Sequence, residues 1–355
     1  MSKVLVFTTQ IMETGGIESH LNEFCLHFSK AGSSIDLVVL NSCMSLETES
    51  FLRKRCRKVY VCKIGKSHLR IAWLFLLGLR LFFNKYNALY TNGQGSSIEL
   101  IASMIRRSVW VHHHHTSGDE ADQNTWSSSY KRSLLRADTV VACSKINATD
   151  ITLALARNVK VVTCFSRKVI VEKPLVTKSS NIVRFGYYGR LIPEKGISTL
   201  CQLSLEPELE NTEFHIWGAG PAYPPSYFLN YPSVGYHGSF YGLEGLQTVV
   251  SSIDAFLLLS VHPEGLPICL LEAMSAGLPW LATNKGGISD IAFDPMATRV
   301  VDATADYQEL KEYVVDFAND IRAGKMNKQS QVNMYDLHFS SDALVKQWKQ
   351  VLTLS

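Results

Sequence analysis

The chain has 355 residues, of which 46% are hydrophobic and 19% charged; it is long enough for two folded domains and too apolar for an intrinsically disordered protein. Its net charge of +3 divides unevenly, because Lys and Arg outnumber Asp and Glu in residues 1–175 whereas acidic residues predominate in residues 176–355. We therefore expect the first half of the chain to meet an anionic partner.

The first half of the chain predicts a parallel sheet covered by helices. Short β-branched apolar runs alternate with amphipathic stretches of helical length, such as residues 18–31, and this rhythm is typical of βαβ units. The predicted strands are Val4–Phe7, Ile35–Leu40, Ala88–Tyr90, Val109–Val111 and Thr139–Ala142.

The rhythm starts again after a polar stretch at residues 171–181. We predict an α/β protein of two doubly wound, Rossmann-like domains, residues 1–172 and 173–338, with a cleft between them. Residues 339–355 are predicted to pack back on the first domain. The second set of strands is Val183–Tyr188, Glu213–Trp217, Ala255–Leu259, Pro279–Ala282 and Arg299–Val301; the predicted helices are Ile197–Leu203, Leu243–Ser251, Pro267–Ser275, Asp306–Ala323 and Ser341–Leu354.

The cysteines and the apolar runs bear on where the protein resides. Eight cysteines are scattered singly, without a C-x-x-C pair, which favours reduced thiols over a disulfide framework. The apolar run at residues 4–7 is too short for the core of a signal peptide, and no stretch reaches the roughly 18 apolar residues of a membrane span. We expect a cytoplasmic protein.

Glycine turns follow several predicted strands. Gly15 and Gly16 precede the first helix, where free N–H groups at the positive helix end suit a phosphate, although an ordinary tight turn would use the same residues. The pattern lacks the G-x-G-x-x-G fingerprint, which weakens a dehydrogenase interpretation. Gly218, Gly220 and Gly238 are weaker signals of the same kind.

Two cations follow the first strand of the second half. Arg190 offers a planar guanidinium and Lys195 a point charge, and together they are suited to neutralise a diphosphate. The alternative is that both are solvated surface charges.

The segment from residue 262 to residue 277 carries the strongest signal. Pro267 is predicted to occupy the first position of a helix that is apolar on nearly every side, and Gly277 to end it. Glu272 is the single charge within that helix, and a buried carboxylate needs partners, which two sugar hydroxyls would supply. Glu264 lies just before the helix. Alternatively, Glu264 complements the helix dipole and Glu272 faces water.

Four consecutive histidines, residues 112–115, end a predicted strand. Neighbouring side chains of a strand alternate in direction, so at most two of them face one ligand. A zinc site is one interpretation, but no cysteine or second histidine cluster follows at ligand spacing along the chain. We expect one histidine to hydrogen-bond a polar substrate.

A basic run at residues 53–58 precedes an aromatic and aliphatic stretch at residues 71–83. The segment 53–85 as a whole suits the surface of an anionic membrane. A core helix behind a solvated loop is the alternative. Nucleic acid is not expected, since no nucleic-acid motif is present.

Together these motifs resemble the GT-B glycosyltransferases of the retaining family 4 type, over nearly the whole chain. Glu264 and Glu272 form that family's E-x7-E motif. The other matching residues are Gly15-Gly16-Ile17-Glu18, Gly189-Arg190, Lys195-Gly196, Gly218-Ala219-Gly220-Pro221, Ala276-Gly277-Leu278-Pro279 and Gly286-Gly287.

The resemblance implies a role for each matching residue. Arg190 and Lys195 would hold the donor diphosphate, and Glu272 would bind the ribose hydroxyls. His115 or His114 would face the transferred sugar beside Glu264, and neither glutamate is expected to be a nucleophile. The further donor-binding residues are Gly15, Gly16, Gly238, Gly265, Leu266 and Pro267.

The implied reaction moves a sugar, with retention, from a nucleotide sugar such as a UDP-sugar to a saccharide or lipid-linked saccharide. We expect it in the synthesis of cell-surface polysaccharide or lipopolysaccharide, at the inner face of the cytoplasmic membrane, without a metal or other cofactor. The alternatives are a nucleotide-sugar epimerase or a phosphorylase of the same fold, or a non-catalytic nucleotide-sugar-binding subunit.

Overall fold

A computed structural model describes residues 2–12, 15–171 and 181–354. The chain forms two compact units. The N-terminal unit consists of residues 1–165 and 341–355, and the C-terminal unit of residues 166–340. The predicted domain boundary at residues 172–173 lies outside the described residues.

The N-terminal unit contains a parallel sheet of seven strands, in the order β3-β2-β1-β4-β5-β6-β7. Apolar side chains of both sheet faces are buried against helices, as parallel sheets require. The strands are β1 (Lys3–Thr8), β2 (Ser34–Val39), β3 (Lys58–Val61), β4 (Lys85–Asn92), β5 (Arg106–His114), β6 (Thr139–Ala142) and β7 (Lys160–Val161); the helices are α1 (Gly16–Lys30), α2 (Leu46–Arg55), α3 (Ser67–Phe82), α4 (Ser96–Met104), α5 (Glu120–Thr125), α6 (Ser128–Arg136) and α7 (Lys145–Leu155).

The C-terminal unit contains a second parallel sheet, of six strands in the order β10-β9-β8-β11-β12-β13. Its strands are β8 (Val183–Tyr188), β9 (Thr212–Trp217), β10 (Val234–Tyr236), β11 (Ala255–Leu258), β12 (Trp280–Thr283) and β13 (Thr298–Val301); its helices are α8 (Ile197–Leu203), α9 (Gly242–Ser251), α10 (Ile268–Ser275), α11 (Tyr307–Arg322) and α12 (Lys328–His338), and α13 (Ser341–Val351) follows in the N-terminal unit.

The predicted pair of doubly wound parallel sheets is confirmed. The strands that the sequence did not predict are β3, β7 and β10, and all three lie at a sheet edge. None of their residues is buried, so the apolar runs that reveal central strands are missing there. Among the described residues, no helix is long and apolar enough to cross a membrane.

Helix α13 belongs to the core of the N-terminal unit through Trp348. The indole is fully buried, and its ring packs edge-on against Tyr90 with 5.5 Å between centroids. Its Nε1 donates to the carbonyl oxygen of Thr163 at 3.3 Å. One side chain thus joins the end of the chain to the sheet.

Replacing Trp348 by alanine should destabilise the N-terminal unit by about 3–5 kcal/mol, because a large buried ring is lost and a cavity remains. Urea unfolding followed by far-UV circular dichroism measures the change. Lys346→Ala, at an exposed position of the same helix, should stay within about 0.5 kcal/mol of the parent chain. Equal losses in the two variants would contradict this role of Trp348.

Candidate functional site

The predicted donor-binding residues of the C-terminal unit follow the carboxyl ends of its strands. Arg190 comes after β8, Gly218 after β9 and Glu264 after β11. Strand β8 lies between β9 and β11 in the sheet, so the three loops start side by side. Crevices at this edge of a parallel sheet are the usual ligand sites of doubly wound proteins.

Gly196 brings the loop after β8 against the end of β11. Its φ of +69° is left-handed, and a Cβ there would lie 2.0 Å from the carbonyl oxygen of Leu259. Only glycine fits both the dihedral angle and the space. The backbone of Lys195, the preceding residue, is therefore fixed next to the loop that carries Glu264.

The two predicted diphosphate-binding cations differ in their surroundings. Arg190 is exposed, and its guanidinium makes no hydrogen bond or ion pair with another described residue. Lys195 is largely buried, and its Nζ lies 2.5 Å from Oε1 of Glu264. The structure thus joins two motifs that are 69 residues apart in the sequence.

Glu264 is held by side-chain and backbone contacts. Its Oε1 accepts from the Ser260 hydroxyl at 2.6 Å as well as from Lys195, and its backbone pairs with Gly286. A Cβ on Gly286 would lie 1.9 Å from the carbonyl oxygen of Glu264. The other carboxylate oxygen, Oε2, has no hydrogen-bond partner among the described residues. Ser260 was not predicted as a site residue.

Helix α10 follows Glu264 and contains Glu272. Pro267 was predicted to be its first helical residue, which is wrong: Pro267 is the extended N-cap, with ψ 111°, and Ile268 begins the helix. The fixed φ of proline suits both positions. Gly277 ends the helix as predicted, with φ +70° and hydrogen bonds from Gly277 N to Met274 O and from Leu278 N to Ala273 O, which form a Schellman motif.

Glu272 is buried and has a protein partner. It is 2% exposed, so the alternative in which it faces water is wrong. Arg167 Nε donates to Glu272 Oε1 at 2.7 Å, and Arg167 Nη1 also donates to the carbonyl oxygen of Gly242 at 3.3 Å. The sequence suggested that a buried Glu272 needs sugar hydroxyls as partners. Since Arg167 is a partner within the protein, the burial of Glu272 does not require them. Nothing in the sequence pointed to Arg167, which lies 105 residues earlier.

The remaining predicted residues of this unit lie in the same loops. Gly238 follows β10, and its carbonyl oxygen accepts from the N–H of Gly218 at 2.8 Å. Gly265 and Leu266 connect Glu264 to Pro267, and the Leu266 side chain is buried. The structure places all of them at the carboxyl edge of the sheet.

In the N-terminal unit, Gly15 and Gly16 lie at the start of helix α1. Both were predicted to precede the helix; Gly15 is its N-cap and Gly16 its first residue. Glu18, in the first turn, accepts a hydrogen bond from the N–H of Met12 at 2.6 Å. Among the described residues no side chain caps α1, which agrees with the phosphate interpretation.

Three of the four histidines end β5 and His115 follows it, and their side chains alternate in direction, as predicted. His112 and His114 both hydrogen-bond the hydroxyl of Tyr130, at 2.9 and 2.8 Å. His113 and His115 lie on the opposite side, against the thiols of Cys143 and Cys164.

His114 is held in a polar network. Its Nε2 lies 2.9 Å from Oδ2 of Asp122. Burial alone would raise the pKa of Asp122, but hydrogen bonds from His114, Thr116 and Gln94 lower that pKa to about 2. Both candidate sugar-facing histidines thus have protein partners, and the contact with the sugar stays a prediction.

The basic run at residues 53–58 is partly neutralised within the unit. Arg57 pairs with the buried carboxylate of Asp36, and Arg53 pairs with Glu49. The aromatic stretch forms α3, of which one side is buried through Leu74, Leu77 and Leu81. The other side is exposed, so the alternative of a core helix holds for one side of α3 only. The exposed apolar residues are Leu69, Ile71, Phe75, Leu76, Leu79, Phe82 and Phe83.

Both halves of the chain match glycosyltransferase families. Residues 14–165 match the family described as Glycosyltransferase Family 4, and residues 183–320 match the family described as Glycosyl transferases group 1. A comparison with curated proteins finds no match.

Several solved structures share the fold. The lipopolysaccharide outer core galactosyltransferase WaaB, in its apo form, has a TM-score of 0.73 and 18% identity. HepE of Anabaena, solved with UDP-glucose, has a TM-score of 0.77 and 16% identity. Sucrose-phosphate synthase of Thermosynechococcus elongatus has a TM-score of 0.78 and 15% identity. Each alignment covers 99% of this chain, and 99%, 99% and 98% of the other chain, respectively. The chain has a GT-B fold and carries two glycosyltransferase domains.

Replacing Arg167 by methionine should destabilise the C-terminal unit by about 2 kcal/mol, because the buried carboxylate of Glu272 loses a charged donor. The double variant Arg167→Met/Glu272→Gln should lose less stability than the sum of the losses in the two single variants. Urea unfolding measures all three.

Lys168→Met is the matched control, because Lys168 forms an exposed ion pair with Asp336 and such pairs contribute little. Additive losses for Arg167 and Glu272 would show that the two side chains do not depend on each other.

Proposed function

We propose that this glycosyltransferase moves a sugar, with retention of its anomeric configuration, from a nucleotide-sugar donor to a saccharide or lipid-linked saccharide. The observation that carries the proposal is the arrangement of Lys195, Ser260 and Glu264 at the entrance of helix α10. It combines, at one sheet edge, a cation, an acceptor oxygen and the first N–H groups of a helix that no side chain of the described residues caps.

The cations of the C-terminal unit would hold the donor diphosphate. Arg190 is exposed and makes no ion pair with another described residue, so its planar fork is free to bind phosphate oxygens. Lys195 would turn from Glu264 towards the phosphates, since its ammonium rotates on a flexible stem. As the sugar departs, the growing negative charge of the nucleoside diphosphate would be stabilised by both cations.

Glu272 would bind the ribose of the nucleotide. A carboxylate offers about four acceptor sites, so contact with Arg167 and acceptance from two ribose hydroxyls are compatible. Arg167 would keep the carboxylate in place, which makes it a positioning residue.

Glu264 and the backbone of residues 265–267 would hold the transferred sugar. Oε1 is occupied by Lys195 and Ser260, which leaves Oε2 for sugar hydroxyls. A UDP-hexose donor is supported by HepE, which was solved with UDP-glucose, and a role in cell-surface glycans by the lipopolysaccharide galactosyltransferase WaaB.

Arg190→Ala and Lys195→Met should each slow sugar transfer by roughly 10²–10³-fold, because each removes a preorganised charge at the leaving group. The assay follows UDP release from UDP-glucose and UDP-galactose with a lipooligosaccharide acceptor. Glu194→Ala, an exposed acidic neighbour of Lys195, is the control and should retain parental turnover. Unchanged turnover in both cation variants would refute the assignment.

The exposed side of α3 would rest on the anionic inner face of a membrane and so meet a lipid-linked acceptor. Its contiguous apolar side chains include Phe75, Leu76 and Phe83, and Lys63, Lys66, Arg70, Arg80 and Lys85 lie along the same segment. Apolar insertion with surrounding basic residues is how interfacial helices bind, at about 1 kcal/mol per basic residue near the surface.

The triple variant Phe75→Ser/Leu76→Ser/Phe83→Ser should bind phosphatidylglycerol vesicles at least about tenfold more weakly at low salt, because it removes the inserted side chains. Vesicle co-sedimentation gives the bound fraction. Leu229→Ser/Leu337→Ser removes exposed apolar side chains of the C-terminal unit and should bind as the parent does. Equal binding of all three proteins would exclude α3 as the membrane contact.

A further inference from the structure

A cluster of four side chains in the N-terminal unit has no role in the proposed transfer. It consists of His113, His115, Cys143 and Cys164, each of which places one nitrogen or sulfur atom within 4.8 Å of the other three. The residues come from the carboxyl ends of β5, β6 and β7, which are neighbours in the sheet. The topology therefore gathers them from three separate segments.

Four of the six distances between the ligand atoms lie near those of a tetrahedral metal site, and all six are within 4.8 Å. Cys143 Sγ lies 3.3 Å from His113 Nε2, 3.5 Å from Cys164 Sγ and 3.9 Å from His115 Nδ1, and Cys164 Sγ lies 3.6 Å from His115 Nδ1. Zinc bonds of about 2.3 Å to sulfur and about 2.0 Å to nitrogen separate tetrahedral ligand atoms by roughly 3.3–3.8 Å.

The surroundings of His113 resemble those of a metal-bound histidine. Its Nδ1 hydrogen-bonds the hydroxyl of Tyr90 at 2.8 Å, and the same hydroxyl hydrogen-bonds His20 Nε2 at 3.0 Å. His20 is itself oriented, because its Nδ1 accepts from the N–H of Phe165 at 2.9 Å. Such an outer shell fixes the ring of a ligating histidine.

His115 is half-buried, and its ring lacks a strong polar partner in the part of the chain that the structure describes. Its Nε2 is inaccessible and has no hydrogen-bond partner there. Its Nδ1 contacts the two sulfur atoms, which are weak hydrogen-bond partners. A polar ring in this position needs a stronger partner, and a metal ion between Nδ1 and the sulfurs would be one.

The donor set also fits zinc. Imidazole nitrogen and thiolate sulfur are the ligands that Zn²⁺ takes in structural sites, and Cys2His2 is one of its usual ligand sets. The two sulfur atoms lie 3.5 Å apart, so a divalent ion between them would compensate the charge of the deprotonated cysteines.

We propose that His113, His115, Cys143 and Cys164 bind one zinc ion in a closed Cys2His2 site. With four protein ligands the site has no open position, so the ion is structural: it ties together the segments that follow β5, β6 and β7. Along the chain neither cysteine lies at ligand spacing from the histidines, because Cys143 and Cys164 approach them only through the fold. In this site His115 holds the metal instead of facing the sugar.

The test measures metal in the full chain purified without chelator. Elemental analysis should find about one zinc per chain, the stoichiometry of a closed site. Cys143→Ser and Cys164→Ser should lose that zinc, whereas Cys62→Ser, which alters another buried cysteine of the same unit, should retain it. Zinc-free parent protein should take up Co²⁺ and develop the intense visible bands of tetrahedral thiolate coordination.

The parent protein alone can overturn the proposal, so the result does not depend on whether the variants fold. A chain that contains no zinc and shows no cobalt–thiolate bands would refute it. So would a Cys143–Cys164 disulfide found by mass spectrometry of unreduced peptides. None of these readouts uses sugar transfer, so failure of the proposed function would leave this test unaffected.

Discussion

The C-terminal unit depends on backbone segments that approach one another more closely than side chains permit. Gly196 lies against the carbonyl oxygen of Leu259, and Gly286 lies against that of Glu264. These contacts fix the loops after β8, β11 and β12 relative to one another, and they place Lys195 beside Glu264. In the proposed transfer the Lys195 side chain would turn towards the phosphates while these backbone contacts keep its loop in place.

Glu264 and Glu272 are each paired with a protein cation. Glu264 is held by Lys195 and Glu272 by Arg167. Each pair compensates a carboxylate that is largely removed from water. The two cations are held differently, because Arg167 also donates to the Gly242 carbonyl oxygen whereas the Lys195 ammonium rotates on a flexible stem. In the proposed transfer Lys195 would therefore leave Glu264 for a phosphate, and Arg167 would stay.

The sequence predicted the fold and the motif residues because their signals are local. Apolar runs revealed the central strands, and Gly277 revealed the end of α10. The sequence did not predict contacts between distant segments. Local periodicity and spacing do not indicate the contacts of Arg167 and Ser260 or the approach of Cys143 to His113. For the four histidines, the alternation of the side chains could be predicted from the sequence, but the residues that they contact could not.

The most direct test of the proposed function is a thermal-shift screen of nucleoside diphosphates and nucleotide sugars. The buffer contains a chelator that is too weak to remove zinc bound to the protein. A true donor or leaving group binds the folded protein and should raise its melting temperature; a ligand at about 100 times its Kd adds about 2.7 kcal/mol of stability. We expect UDP and one UDP-sugar to produce that shift. A complete absence of shifts across uridine, guanosine, adenosine, cytidine and thymidine diphosphates and their sugars would contradict a nucleotide-sugar site.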